Sequence, residues 1–185
     1  MFYGKVSIWY LGGEFKIRKY QQICIPFLFL PLILISIVGC NNIQEPNITI
    51  EAQISKLSKT EFNTIGTQGY DNPIKNDFRK FTFNLNMEHT DQITSRTIDI
   101  PNDFGKLINT VDRERYLYGN GNEQDNKNEN FARYTKEFVF YSKGLSEDEI
   151  KKAFDSAIIT VSWVTKEGKT ITKEFVIGDL IKLNN

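Results

Sequence analysis

Phe81–Met87, FTFNLNM, is apolar at every odd-numbered position and polar at every even-numbered one. A period of two puts the four apolar side chains on one face of an extended chain, as in a strand with one side toward a core. The pattern returns in both directions along the chain. Ile48, Ile50, Ala52 and Ile54 alternate with Thr49, Glu51 and Gln53. Ile159, Val161 and Trp163 alternate with Thr160 and Ser162, and Ile171, Phe175 and Ile177 follow on a returning strand. Lys166-Glu167-Gly168-Lys169 lies between those two runs, with Gly168 free to take the positive φ of a hairpin turn. Ile93 to Ile100, closed by Pro101, reads as another strand, and Phe131 to Tyr141 as an aromatic-rich extended segment.

The intervening segments read differently. Thr60 to Asn76 contains Gly66, Gly69 and Pro73 and is expected to be loop. Gly119 to Asn130, with five asparagines and two glycines, is expected to be a polar loop. Phe104, Leu107, Ile108 and Val111 have helical spacing, so Asn102 to Tyr118 is expected to hold a short helix or turn. Leu145 to Phe154 carries a capping box, Ser146 with Glu149, and a hydrophobic staple, Leu145 with Ile150. Glu147 and Asp148 complement the positive end of that helix. About six strands with one or two short helices predict a mainly β fold, an antiparallel β-sandwich of immunoglobulin-like arrangement. The cysteine-tryptophan-cysteine signature of antibody domains is absent, so the expectation concerns architecture alone.

Ahead of the strands stands Ile23 to Cys40, ICIPFLFLPLILISIVGC, preceded by Lys16, Arg18 and Lys19. The apolar run is shorter than the roughly 20 residues a spanning helix needs, and Pro26 and Pro31 interrupt its hydrogen-bond ladder. A cationic flank, a short apolar core and a small residue read as a secretory signal peptide. Ile37-Val38-Gly39-Cys40 resembles the lipobox of bacterial lipoproteins. That resemblance implies cleavage between Gly39 and Cys40, a diacylglyceryl group on the Cys40 sulfur, and lipid anchoring on the extracellular face of the cell membrane. The resemblance covers the leader alone, and the twenty-two residues before Ile23 leave room for a translation start downstream of Met1. The alternative is an uncleaved anchor helix with Cys40 as an ordinary small residue; in both readings the rest of the chain is outside the membrane. The expected organisation is a signal peptide over residues 1–39, a lipidated tether over 40–47 and a single β-rich extracellular domain over 48–185.

Of the 185 residues, 146 would follow the cut, enough for one domain with a proper core. The chain has 23 basic and 23 acidic residues; the leader holds Lys5, Lys16, Arg18 and Lys19 against Glu14, so the remainder is mildly acidic. With charges of both signs interspersed, nothing points to nucleic acid as a partner. The two cysteines, Cys24 and Cys40, both belong to the leader and the proposed lipid site, which excludes disulfides and cysteine-based zinc sites from the domain. The abundance of asparagine, isoleucine and lysine, with no disulfide framework, fits a Gram-positive-type bacterium.

Candidate chemistry is sparse, and no cofactor motif is found. The single histidine, His89, could serve an envelope hydrolase or metal-dependent enzyme with Asp91 and nearby carboxylates, but no Gly-x-Ser-x-Gly elbow supplies a nucleophile. Glu147, Asp148 and Glu149 are accounted for by the helix start. Glu123, Asp125 and Glu129 could offer oxygens to calcium, although the EF-hand spacing is missing and a solvated loop explains them. Tyr116, Tyr118, Phe131, Tyr134 and Tyr141 flank that loop and could line an aromatic recognition patch for an envelope protein or glycan, with Tyr116, Tyr118 and Asp125 as the candidate binding residues; aromatics at such positions more often serve a sandwich core or rim. The expected function is a lipid-anchored, non-enzymatic binding or envelope-associated module, with an accessory subunit of a membrane complex as the further alternative.

Overall fold

A computed structural model describes residues 45–184. The strands β1 (Asn47–Lys56) and β2 (Phe78–Glu88) pair antiparallel in unbroken register, from Asn47 opposite Glu88 to Lys56 opposite Arg79. Between them lie α1 (Lys59–Thr64) and a 3₁₀ turn at Lys75–Asp77. The chain continues through β3 (Ile93–Asp99), α2 (Phe104–Leu107), β4 (Tyr116–Gln124) and β5 (Phe131–Tyr141). Then come α3 (Glu147–Lys152), β6 (Ile158–Thr165), β7 (Thr170–Val176), α4 (Ile177–Leu180) and β8 (Ile181–Asn184).

The strands form a five-stranded sheet in the order β4-β5-β2-β1-β8 and a three-stranded sheet in the order β3-β6-β7. Leaving β8 aside, the first, second, fifth and fourth strands share one sheet and the third, sixth and seventh the other. That is the strand order of a constant-type immunoglobulin sandwich. The expected immunoglobulin-like architecture is therefore present, with one correction: β8 pairs parallel to β1, Ala52 opposite Ile181, so the larger sheet is mixed and not purely antiparallel. The chain leaves β7 through α4, buries Ile177 and Ile181, and crosses to the free edge of β1. Ile177 thus begins a helical turn and does not end the hairpin strand.

Both inner faces supply one core. Phe81 stacks on Phe138 and Phe154 with ring centroids 4.8 and 5.1 Å apart, and Phe83 meets Phe104 edge-on at 5.3 Å. Ile159, Val161 and Trp163 of the smaller sheet are buried in the same cluster. Each such ring pair contributes about 0.5–1.5 kcal/mol beyond its area. A second cluster, Leu57, Ile65, Phe78, Val139 and Tyr141, lies on the opposite face of the larger sheet, with Phe62 and Tyr70 of the β1–β2 excursion packed against it. This explains the unbroken apolar run Phe138 to Tyr141: at that end β5 is covered on both faces.

Two segments expected as loops are structured. The first residues of the segment from Thr60 to Asn76 belong to α1, which is held by a reciprocal capping box between Ser58 and Glu61. Within Gly119 to Asn130, residues 119–124 extend β4, and the turn shrinks to Asp125–Asn130. The glycines permit this close pairing: a Cβ on Gly119 would lie 2.6 Å from the Glu137 carbonyl oxygen, and one on Gly121 2.8 Å from that of Thr135. Within the span expected as tether, Glu45 pairs with Lys173 at 2.6 Å and β1 opens at Asn47. The expected signal peptide, Gly39 and Cys40 lie outside the described residues. Among the described residues no helix is long and apolar enough to cross a membrane.

Two outcomes test these local devices. In α3 the Ser146 hydroxyl accepts from the Glu149 amide at 3.2 Å, so Ser146→Ala is expected to lower unfolding free energy by about 1 kcal/mol in urea titration. Lys80, then Ser58, hold the Glu61 carboxyl down at about 2 against a usual 4.5. The unfolded chain therefore binds more protons in that window, and stability is expected to fall as pH drops from 4.5 toward 2. Glu61→Gln should flatten that slope.

Candidate functional site

Three turns meet at one end of the sandwich: residues 89–92 after β2, Asp125–Asn130 between β4 and β5, and Lys166–Lys169 between β6 and β7. The start of β1 lies at the same end, since Asn47 is paired with Glu88. The turns are cross-linked. The His89 amide donates to the Asn130 carbonyl at 2.9 Å, and the Lys166 amide to that of Gln92 at 2.9 Å. Lys166 also pairs with Asp91 at 3.4 Å.

Arg96 is the centre of this end. It stands on β3 opposite Trp163, on the inward side of an edge strand, with 5% of its side chain exposed. A guanidinium has five N–H donors, and all are engaged here. Nε donates to Asp125 Oδ1 at 2.9 Å, Nη1 to the Glu129 carbonyl at 2.6 Å and to His89 Nε2 at 2.8 Å. Nη2 donates to the carbonyls of Phe131 and Asn126 at 2.7 and 3.0 Å and lies 2.7 Å from Asp125 Oδ1. Asp125 Oδ2 accepts from the Tyr134 hydroxyl at 2.7 Å. Burial, and then that bond to Asp125, push the Tyr134 phenol well above its ordinary range.

The expected pairing of His89 with Asp91 is not formed. His89 Nδ1 faces the Thr90 carbonyl at 2.7 Å and donates, while Nε2 accepts from Arg96. Both ring nitrogens are thus engaged, and Asp91 faces Lys166. Among the described residues no three His, Cys, Asp or Glu side chains come together to hold a metal. In the former loop, Asp125 is bound to Arg96 and Tyr134, and the Glu129 carboxylate accepts from Asn126 at 3.0 Å.

Beside the clamp opens a cleft of about 420 Å³. One wall is Ile93–Thr97 of the edge strand β3; the other is the Asp125–Asn130 turn, with Lys127 at its rim. Volumes of this order suit small or extended ligands.

No family model, curated protein or solved structure matches the chain.

The three candidate binding residues do not form one site: Tyr116 and Tyr118 border one groove, and Asp125 lines the cleft beside Arg96. Tyr116 faces inward: a Cβ on Gly105 would lie 2.2 Å from its ring, and Phe138 is 5.9 Å away between centroids. A bulge separates it from Tyr118, which is 45% exposed; both tyrosines border a shallow groove with Tyr70 and Leu117. Asp125 follows Tyr118 by seven residues, roughly 23 Å along an extended strand. Tyr116 is a packing residue, Tyr118 a rim residue and Asp125 the partner of Arg96. Sequence reading missed Arg96. The one available signal was its parity, since it shares the inward side of β3 with Ile98.

Removing the guanidinium would strand Asp125 and three carbonyls. Arg96→Ala is expected to cost about 3 kcal/mol or more in urea unfolding. Arg96→Lys should recover little of that, because an ammonium cannot reproduce the fork.

Proposed function

We propose that this chain is a lipid-anchored extracellular lipoprotein of a Gram-positive-type bacterium that acts as a non-enzymatic binding module. The observation that carries the reading is Cys40, directly after Ile37-Val38-Gly39 and seven residues ahead of the first strand residue, Asn47. A thioether-linked diacylglyceryl group brings more than one acyl chain, and each buried methylene contributes about 0.8 kcal/mol to anchoring. The fold supports a binding role because a two-sheet sandwich leaves its turns and edges available for a partner. The chemistry of its one histidine supports the same reading, since both ring nitrogens are occupied within the Arg96 clamp.

The tether also sets an orientation. Seven residues span at most about 25 Å when extended, and β1 starts at the end that carries the Arg96 turns. That end is turned toward the bilayer, and the β1–β2 excursion and α3 are turned away from it. An envelope protein or a wall glycan is the class of partner such a display serves.

Labelling cells with radioactive palmitate tests the anchor. The wild-type chain is expected to take up label and Cys40→Ala to take up none. A wild-type chain without label, or equal label in the variant, overturns the reading.

A further inference from the structure

We infer that the cleft beside Arg96 is a strand-addition site for an extended, acidic peptide segment of a partner protein. The inference rests on the reading of the domain as a binding module, but not on lipid at Cys40.

The first ground is an unpaired edge. β3 is the outer strand of the smaller sheet and bonds to β6 alone. In an antiparallel ladder every second residue of an edge strand turns both its N–H and its C=O to the open side. Among the described residues nothing bonds that open side between Ser95 and Asp99. A bulge between Ile93 and Ser95 interrupts the ladder; Thr94 turns its hydroxyl back to the Val164 carbonyl at 3.2 Å. The regular, pairable stretch is therefore short.

The second ground is that this edge borders a slot. Ile93–Thr97 line the cleft as consecutive residues, roughly 17 Å of strand at the usual rise. The facing wall, Asp125–Asn130, is held by the five-donor clamp of Arg96 and by the His89–Asn130 backbone bond. A slot ordered before binding loses little conformational entropy on receiving a guest. Main-chain bonds then supply affinity, as in other modes where a peptide adds to a sheet edge.

The third ground is charge. Arg96 and Asp125 neutralise one another, and the Arg96 donors are full. Lys127 lines the same cleft and makes no ion pair among the described residues. The unmatched charge of the slot is one cation, which an acidic side chain or terminal carboxylate of the guest complements.

The test uses the purified full chain in detergent micelles, panned against displayed random heptapeptides. Enriched peptides are expected to be extended in pattern and acidic, and a labelled synthetic copy should bind in fluorescence polarisation. Methylating alternate backbone nitrogens on one side of the peptide should weaken binding about tenfold or more, while methylating the other side leaves it unchanged. Bound peptide should slow amide hydrogen exchange in residues 95–99. Lys127→Glu should weaken binding about tenfold with the thermal midpoint unmoved. The inference is overturned if no peptide enriches, if the two methylation patterns have equal effects, or if exchange protection falls elsewhere. It is also overturned if residues 95–99 are already protected without peptide by pairing with a second copy of the chain. Palmitate labelling is independent of each of these readings, so failure of the peptide site and failure of the anchor are distinguishable.

Discussion

Burying a guanidinium costs several kcal/mol unless its charge is paired and its donors are satisfied. Arg96 meets that requirement with acceptors from three places: Asp125 and the carbonyls of its turn, the carbonyl at the start of β5, and the His89 ring. A sandwich of two short sheets is open along the side where β3 and β4 are both edges. Arg96 closes that side at one end, tying β3 to the β4–β5 turn. At the other end Arg115 ties the segment before β4 to the end of β5. It is 2% exposed, pairs with Asp112 at 2.5 Å, and donates to the Tyr141 and Lys143 carbonyls at 2.9 and 3.2 Å. Between the two, α2 fills the gap with Phe104, whose edge meets Phe83. Each device turns an unfinished side of the fold into defined geometry.

The same clamp links fold to function. Because Arg96 draws Asp125, Tyr134 and His89 into one network, the candidate chemistry of this end is consumed in holding turns together. What remains available is shape: an unpaired strand edge, a fixed wall and one cation. The clamp also places the cleft at the end of the sandwich where β1 begins.

Much of the architecture was legible. Phe81 to Met87 and Ile159 to Trp163 showed their buried faces by parity alone, because a strand between core and solvent writes its environment into every second residue. Ser146 and Glu149 marked α3 because capping is a local interaction. Gly119 to Gln124 was misread for the complementary reason. An edge strand exposed on both faces carries no apolar alternation, and its pairing is made by the backbone. β8 was hidden likewise: its four residues are a strand only because β1 offers a free edge after the α4 crossover.

The amino-acid order alone determined the strand periodicity, the capped helix, the hairpin turn at Gly168 and the resemblance around Cys40, because each depends on residues close together in the chain. The three-dimensional structure decided which tyrosine faces inward, that Asp125 belongs to Arg96 and not to Tyr118, and that His89 is held at both nitrogens. Those facts depend on contacts between segments up to 29 residues apart, where sequence spacing carries no record of distance. Packing two twisted sheets brought Arg96 to the one place where its five donors could all be met.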